Sequence, residues 1–150
     1  MTGRALLDSN VLVYAFDAAS RGKQVRAARL LEEIEPIGRG TLSTQVLGEF
    51  FRVVTEKIAH PLTPTHARLE LERLTASWPV LPITAAVVIE AARGVRDHRM
   101  SYWDAQLWAT ARLNQVEIVL SEDFRDGGIL DGVRFVNPFT ASFDLAALVG

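Results

Sequence analysis

The 150-residue chain contains no cysteine, and that absence removes three chemistries together. Disulfide bonds, thiolate zinc sites and a cysteine nucleophile all need the missing side chain. Histidine is nearly as scarce. His60, His66 and His98 have no metal-ligand spacing, and none lies near an expected strand end. A serine–histidine–aspartate triad therefore has no base to offer, and Ser9, Ser43 and Ser121 lie outside any GxSxG elbow. The chain also lacks the GxxxxGK phosphate loop and the GxGxxG turn of dinucleotide folds. No apolar run is long enough to span a membrane, and Asp8 interrupts the only N-terminal apolar stretch. These absences lead us to expect a cytoplasmic protein without a membrane segment or signal peptide.

Lysine is limited to Lys23 and Lys57, against 14 arginines. Arginine stays charged and grips phosphate bidentately, so the bias is compatible with a nucleic-acid partner. The net charge of −2 points the other way, but setting four particular acids aside leaves +2 for the rest of the chain. With 49% hydrophobic and 23% charged residues, the composition suits one compact domain over residues 1–150.

Those four acids are Asp8, Glu49, Asp104 and Asp123. Asp8 closes the apolar run of ALLDSN, and Asp123 follows that of EIVLSED. Glu49 and Asp104 interrupt apolar helical patterns in QVLGEFFRVV and SYWDAQLWATA. A carboxylate set among core positions is costly unless something compensates its charge. Each acid also has an ordinary reading: a turn or helix cap for Asp8 and Asp123, a capping box for Asp104, a solvated helix edge for Glu49.

Strands are expected at 4–7, 41–43, 79–83, 117–120 and 133–136, the last two separated by the loop RDGGILDG. Helices are expected at 10–16, 22–35, 45–59, 64–75, 84–97 and 101–114, with Thr63, Thr84 and Ser101 as start signals. In the second of these, Val25, Ala28, Leu31 and Ile34 form the inward stripe, and Pro36 to Gly40 reads as a loop. Alternating strands and helices imply an α/β fold: three α/β/α layers around a mainly parallel sheet of about five strands.

In such a sheet, ligands bind beyond the carboxyl ends of the strands where strand order reverses. Asp8 and Asp123 would share that crevice if the first and fourth strands are neighbours. Asp104 falls on the apolar face of its helix, in the first turn, and Glu49 at the margin of its own. Oxygen ligands without cysteine or histidine favour Mg²⁺ or Mn²⁺, ions that clamp phosphates and activate water. A receiver-type, non-enzymatic Mg²⁺-binding module uses acids similarly, but VRFVNPF lacks the lysine such modules carry after the last strand. Trp103 and Trp108 flank Asp104 and could stack on bases or serve a core or dimer interface. Arg93, Arg96 and Arg99 recur every three residues, as a basic stripe along a phosphate backbone or a solvated helix face would.

Taken in order, LLDSNVLVYAFD, TQVLGEFFRVV, YWDAQLWATA and LSEDF followed by GVRFVNPF resemble the PIN-domain family across residues 4 to 139. Within it, the chain looks most like the VapC toxins of bacterial toxin–antitoxin pairs. The resemblance implies a three-layer PIN-like fold and an acidic quartet of Asp8, Glu49, Asp104 and Asp123 around Mg²⁺ or Mn²⁺. It implies supporting roles for Ser9, Asn10 and Ser121, and places Glu122 and Asp126 as secondary acids. It further implies endoribonuclease activity on structured RNA such as tRNA or rRNA, a homodimer, and a VapB-like antitoxin with candidate contacts at Phe50, Phe51 and the 64–75 helix. A PIN-type RNA-processing nuclease without an antitoxin is the alternative within the family.

Overall fold

The computed structural model describes residues 3–149. Its first strand, β1 (Ala5–Leu7), is buried at every position, as an apolar run covered on both faces must be. The elements that follow are α1 (Ser9–Tyr14), α2 (Arg21–Ile37), β2 (Gly40–Ser43), α3 (Thr44–Glu56), α4 (Pro64–Ser77) and β3 (Val80–Leu81). Then come α5 (Ala85–His98), α6 (Tyr102–Leu113), β4 (Ile118–Leu120), β5 (Ile129–Leu130), β6 (Val133–Val136) and α7 (Leu145–Val149). Among the described residues the strands form one sheet in the order β3-β2-β1-β4-β6-β5, parallel except for the β5–β6 pair.

This order decides where a site can form. The chain steps outward from β1 to β2 and β3, then crosses back to place β4 on the other side of β1. Right-handed crossovers then put the intervening helices on opposite faces of the sheet. The helices pack in two groups accordingly, α1 with α2 and α3 with α4 on one side, α5 with α6 on the other. The reversal between β1 and β4 is the switch point. A receiver-type sheet has the order 2-1-3-4-5, so this topology excludes that alternative.

Local signals in the sequence carry most of the boundaries. Thr63, Thr84 and Ser101 cap their helices by accepting the N–H of His66, Val87 and Asp104. Three expectations are corrected. The buried stripe of α2 is Ala27, Leu30 and Ile34, and Val25 is 53% exposed. Two overlapping stripes share Ile34, and docking beside α1 selects the one rotated by about a residue. The same helix absorbs Pro36 near its end, where few backbone bonds are lost, and stops at Gly38 with φ of 67°. Part of RDGGILDG is not loop: Ile129–Leu130 pairs with β6, making a sixth strand. Asp131 (φ 46°) and Gly132 (φ 83°) supply the two left-handed residues such a tight hairpin needs.

The core includes Leu6, Leu7, Leu12, Phe50 and Trp108, all essentially inaccessible. A β-carbon at Gly40 would lie 2.1 Å from the Trp78 ring, so only glycine lets β2 run beneath that indole. Among the described residues no helix is long and apolar enough to cross a membrane.

Candidate active site

The parallel ladder continues one residue past the carboxyl ends of the strands. Asp8 N–H donates to the Leu120 carbonyl (2.9 Å), and Ser121 N–H donates to that of Val136 (3.0 Å). Asp8 and Ser121 therefore stand side by side at the switch point, and Ser121 Oγ donates to Asp8 Oδ2 at 2.7 Å. Asp8 Oδ1 accepts the Ser9 N–H (2.7 Å), so this acid also caps α1, as its ordinary reading anticipates.

Asn10 joins the two sides of the crevice. Its Nδ2 lies 3.4 Å from Asp8 Oδ2, 3.1 Å from Ser121 Oγ and 3.2 Å from Asp123 Oδ2. Its Oδ1 accepts from Glu122 N–H. Ser121 Oγ also accepts from Asp123 N–H (3.0 Å), which fixes the turn that carries Asp123. On the other flank, Ser9 Oγ donates to Glu49 Oε2 at 2.9 Å, tying α3 to the start of α1.

The structure adds three polar residues that the sequence reading did not single out. Gln45 Nε2 donates to Glu49 Oε1 (2.8 Å) and to the Trp103 carbonyl (3.1 Å). Gln45 Oε1 accepts from Gln106 Nε2 (3.0 Å), and Gln106 Oε1 accepts from Tyr102 OH (2.9 Å). Because the Glu49 carboxylate and the Trp103 carbonyl can only accept, they set the direction of both amides, and Tyr102 donates at the far end of the relay. Glu49 thus has a donor on each oxygen, and the first turn of α6 is docked to it. The signals were present: Gln45 precedes Glu49 by one helical turn, and Gln106 is an amide inside an apolar run.

Asp104 sits in that first turn of α6, half-buried, with its N–H capped by Ser101 Oγ. Among the described residues nothing donates a hydrogen bond to its carboxylate. The structure hence bridges Asp8, Glu49 and Asp123 through Ser9, Asn10 and Ser121, and ties the Asp104 helix to Glu49 through Gln45. Among the described residues these acids do not close as a group of three around one point.

Asp8 carries the electrostatic signature of the site. It is 7% exposed, and burial pushes its carboxyl up to about 6 against the hydrogen bonds from Ser121 and Ser9. The charges of Glu49 and Asp123 raise it further. Among the described residues no cationic side chain hydrogen-bonds to it; its partners are a hydroxyl, an amide and a backbone N–H. Hard-oxygen donors with unbalanced negative charge, Asp8 buried, Glu49 half-buried and Asp123 exposed, fit a divalent cation in their chemistry.

The neighbouring acids do other work. Glu122 accepts from Tyr14 OH (2.6 Å) and pairs with Lys23 (2.7 Å), and Asp126 accepts from Asn137 N–H (2.8 Å). The arginine stripe is a scaffold. Arg93 binds Glu90 and Asp131 and lies over the Trp108 ring, Arg96 binds Asp97, and Arg99 ends α5 with φ of 56°. Arg112 completes the network on Glu90, whose carboxyl is held below its ordinary range chiefly by Arg93. Trp108 is core, its indole N–H donating to Leu130 O (3.2 Å), whereas Trp103 is 62% exposed.

The PIN domain family model matches residues 5–126, an interval containing all four acids. The chain belongs to the PIN-domain family, a family of nucleases that generally use divalent metal ions. Its fold is similar to a toxin–antitoxin complex from Klebsiella pneumoniae (TM-score 0.64, 21% identity, covering 89% of this chain and 97% of that one). It is also similar to DNA-bound VapBC from Salmonella typhimurium (TM-score 0.64, 16% identity, 91% and 98%). A third similar structure is VapC20 of Mycobacterium tuberculosis, a sarcin–ricin loop cleaving toxin (TM-score 0.59, 21% identity, 77% and 86%). The comparison with curated proteins gave no match.

Proposed function

We propose that this chain is a metal-dependent endoribonuclease, the toxin of a VapBC-like pair, that cuts structured RNA such as tRNA or rRNA and so arrests translation. The observation that carries this reading is the hydrogen-bonded link from Asp8, buried at the β1–β4 switch point, to Glu49 through Ser9 and to Asp123 through Asn10. The similar folds of toxin–antitoxin complexes support the same reading.

Asp8, Asp104 and Asp123 are the residues that would hold Mg²⁺ or Mn²⁺, with Glu49 completing the set or orienting the attacking water. The ion, when bound, supplies charge neutralisation at the scissile phosphate and a more acidic water. Ser9, Asn10 and Ser121 hold the carboxylates in place, so their rotamers are set before substrate arrives. Glu49, gripped on both oxygens, keeps one orientation. Hydrolysis leaves a 5′-phosphate and a 3′-hydroxyl, and no histidine takes part.

A VapB-like antitoxin and a homodimer belong to this proposal. The groove at Phe51, Pro64 and Leu71 supports the first, and the exposed Val88, Ile89 and Val95 of α5 the second. Mapping RNA 5′-ends after induction in cells tests the function. New 5′-phosphate ends at one position in a structured RNA are expected, and their absence would overturn the assignment. Gln45→Ala should lower cleavage by about 10- to 100-fold, the range for residues that orient metal-site ligands. It should also destabilise the fold by about 1–2 kcal/mol, since the buried Gln106 amide loses its acceptor; thermal melts and single-turnover rates separate the two effects.

A further inference from the structure

Among the tryptophans, Trp78 and Trp108 are buried and Trp103 stands 62% exposed at the start of α6, next to Asp104. Its ring is held edge-on by Tyr102 (centroids 5.1 Å apart, planes at 81°). Its carbonyl accepts the same Gln45 amide that grips Glu49 Oε1. The exposed indole is therefore anchored one side chain away from a candidate site carboxylate. Between them lies a cavity of about 660 Å³ bordered by Gln45, Glu49, Arg52, Trp103 and Gln106. That size falls within the roughly 300–1,000 Å³ usual for small-ligand sites.

Arg52 follows Glu49 by three residues on α3 and is exposed, and among the described residues no carboxylate pairs with it. This contrasts with Arg93, Arg96 and Arg112, whose charges are engaged by Glu90, Asp97 and Asp131. An unpaired guanidinium beside an aromatic plate suits a phosphate joined to a base. A protein partner would favour contiguous apolar surface, of the kind α5 presents at Val88 and Ile89. The cavity instead mixes one indole and the Val53 side chain with a cation, two amides, a hydroxyl and a carboxylate.

We propose that Trp103 and Arg52 form a subsite for one unstacked nucleobase and its phosphate, flanking the bond to be cut in a single-stranded segment of RNA. This rests on the nuclease reading above and deepens it by naming the substrate element that is held. A base inside a duplex shows its face to its neighbours, so only a looped-out or single-stranded base can lie on the indole.

The test uses the full chain with D8N, titrated with a short mixed-sequence single-stranded RNA while tryptophan fluorescence is followed. Quenching is expected, because Trp103 is the accessible indole. W103A should abolish the quenching and weaken binding by roughly 5- to 100-fold, and W103F should restore most of the affinity. R52A should lower the slope of log affinity against log salt by about one. The proposal is overturned if W103A binds the RNA as tightly as its parent, or if a fully paired duplex of the same sequence quenches equally. It is also overturned if W103A loses only association with protein, which would make the indole a protein contact. The nuclease reading is judged separately, by cleavage with the otherwise unaltered chain in Mn²⁺. If cleavage occurs but W103A leaves KM unchanged, the subsite alone fails.

Discussion

Asp8→Asn is expected to abolish RNA cleavage and growth inhibition while making the protein more stable at neutral pH. The activity should fall by a factor on the order of 10²–10³ or more, as when a preorganised electrostatic partner is removed from a reaction centre. The stability gain follows from burial. Asp8 titrates at about 6 in the fold against 3.8 for the free side chain. Each pKa unit corresponds to about 1.4 kcal/mol, so ionising Asp8 costs the fold about 3 kcal/mol. Because the folded value is raised, the associated stability is fully present below about pH 4 and is lost as pH rises through about 6. Chelator-treated protein should therefore melt at progressively lower temperature across that window. The asparagine variant should have a flatter profile and a higher melting temperature at pH 7.5. An unchanged profile in the variant would show that Asp8 is not the buried charge behind it.

The second large effect is expected at Asp104, with the opposite sign in stability. Asp104→Asn should also remove cleavage by about 10²–10³-fold. Its carboxylate is half-buried and lies in the first turn of α6, where negative charge is favoured by the helix dipole. Removing that charge should cost about 0.5 kcal/mol, not add stability. The pair of variants thus separates charge buried against its will from charge placed where the helix welcomes it. A folded Asp104→Asn protein that still cuts RNA and still arrests growth would remove Asp104 from the proposed site. Circular dichroism and a thermal melt establish folding in both cases.

Asp8 and Asp123 were legible because each follows a short apolar run, and a parallel sheet places such residues at one edge. Helical phase gives only the inward placement of Asp104, which is half-buried in the first turn of α6. Glu49 was the weakest on its own pattern, and its standing now rests on contacts with Ser9 and Gln45, side chains contributed by the start of α1 and of its own helix. Gln45, Gln106 and Tyr102 carried faint signals. An amide looks the same in sequence whether it faces water or relays a hydrogen bond, and only neighbours distinguish the two. The arginine stripe stays open in sequence between a phosphate contact and a solvated face for the same reason: spacing shows that Arg93 and Arg96 share a face, but not that Glu90, Asp97 and Asp131 await them there.

What the sequence determined by itself is the alternation of elements, the capped helix starts and the family, because these depend on local periodicity and ordered motifs. What only the tertiary structure decided is the phase of α2, the β5–β6 hairpin pairing, and which tryptophan is core and which faces the crevice. Those outcomes depend on which surfaces meet. Two stripes of α2 are nearly equal in apolar content, and Trp103 and Trp108 are equally hydrophobic. Packing of α6 against α5 and the sheet buries one indole and leaves the other beside Glu49.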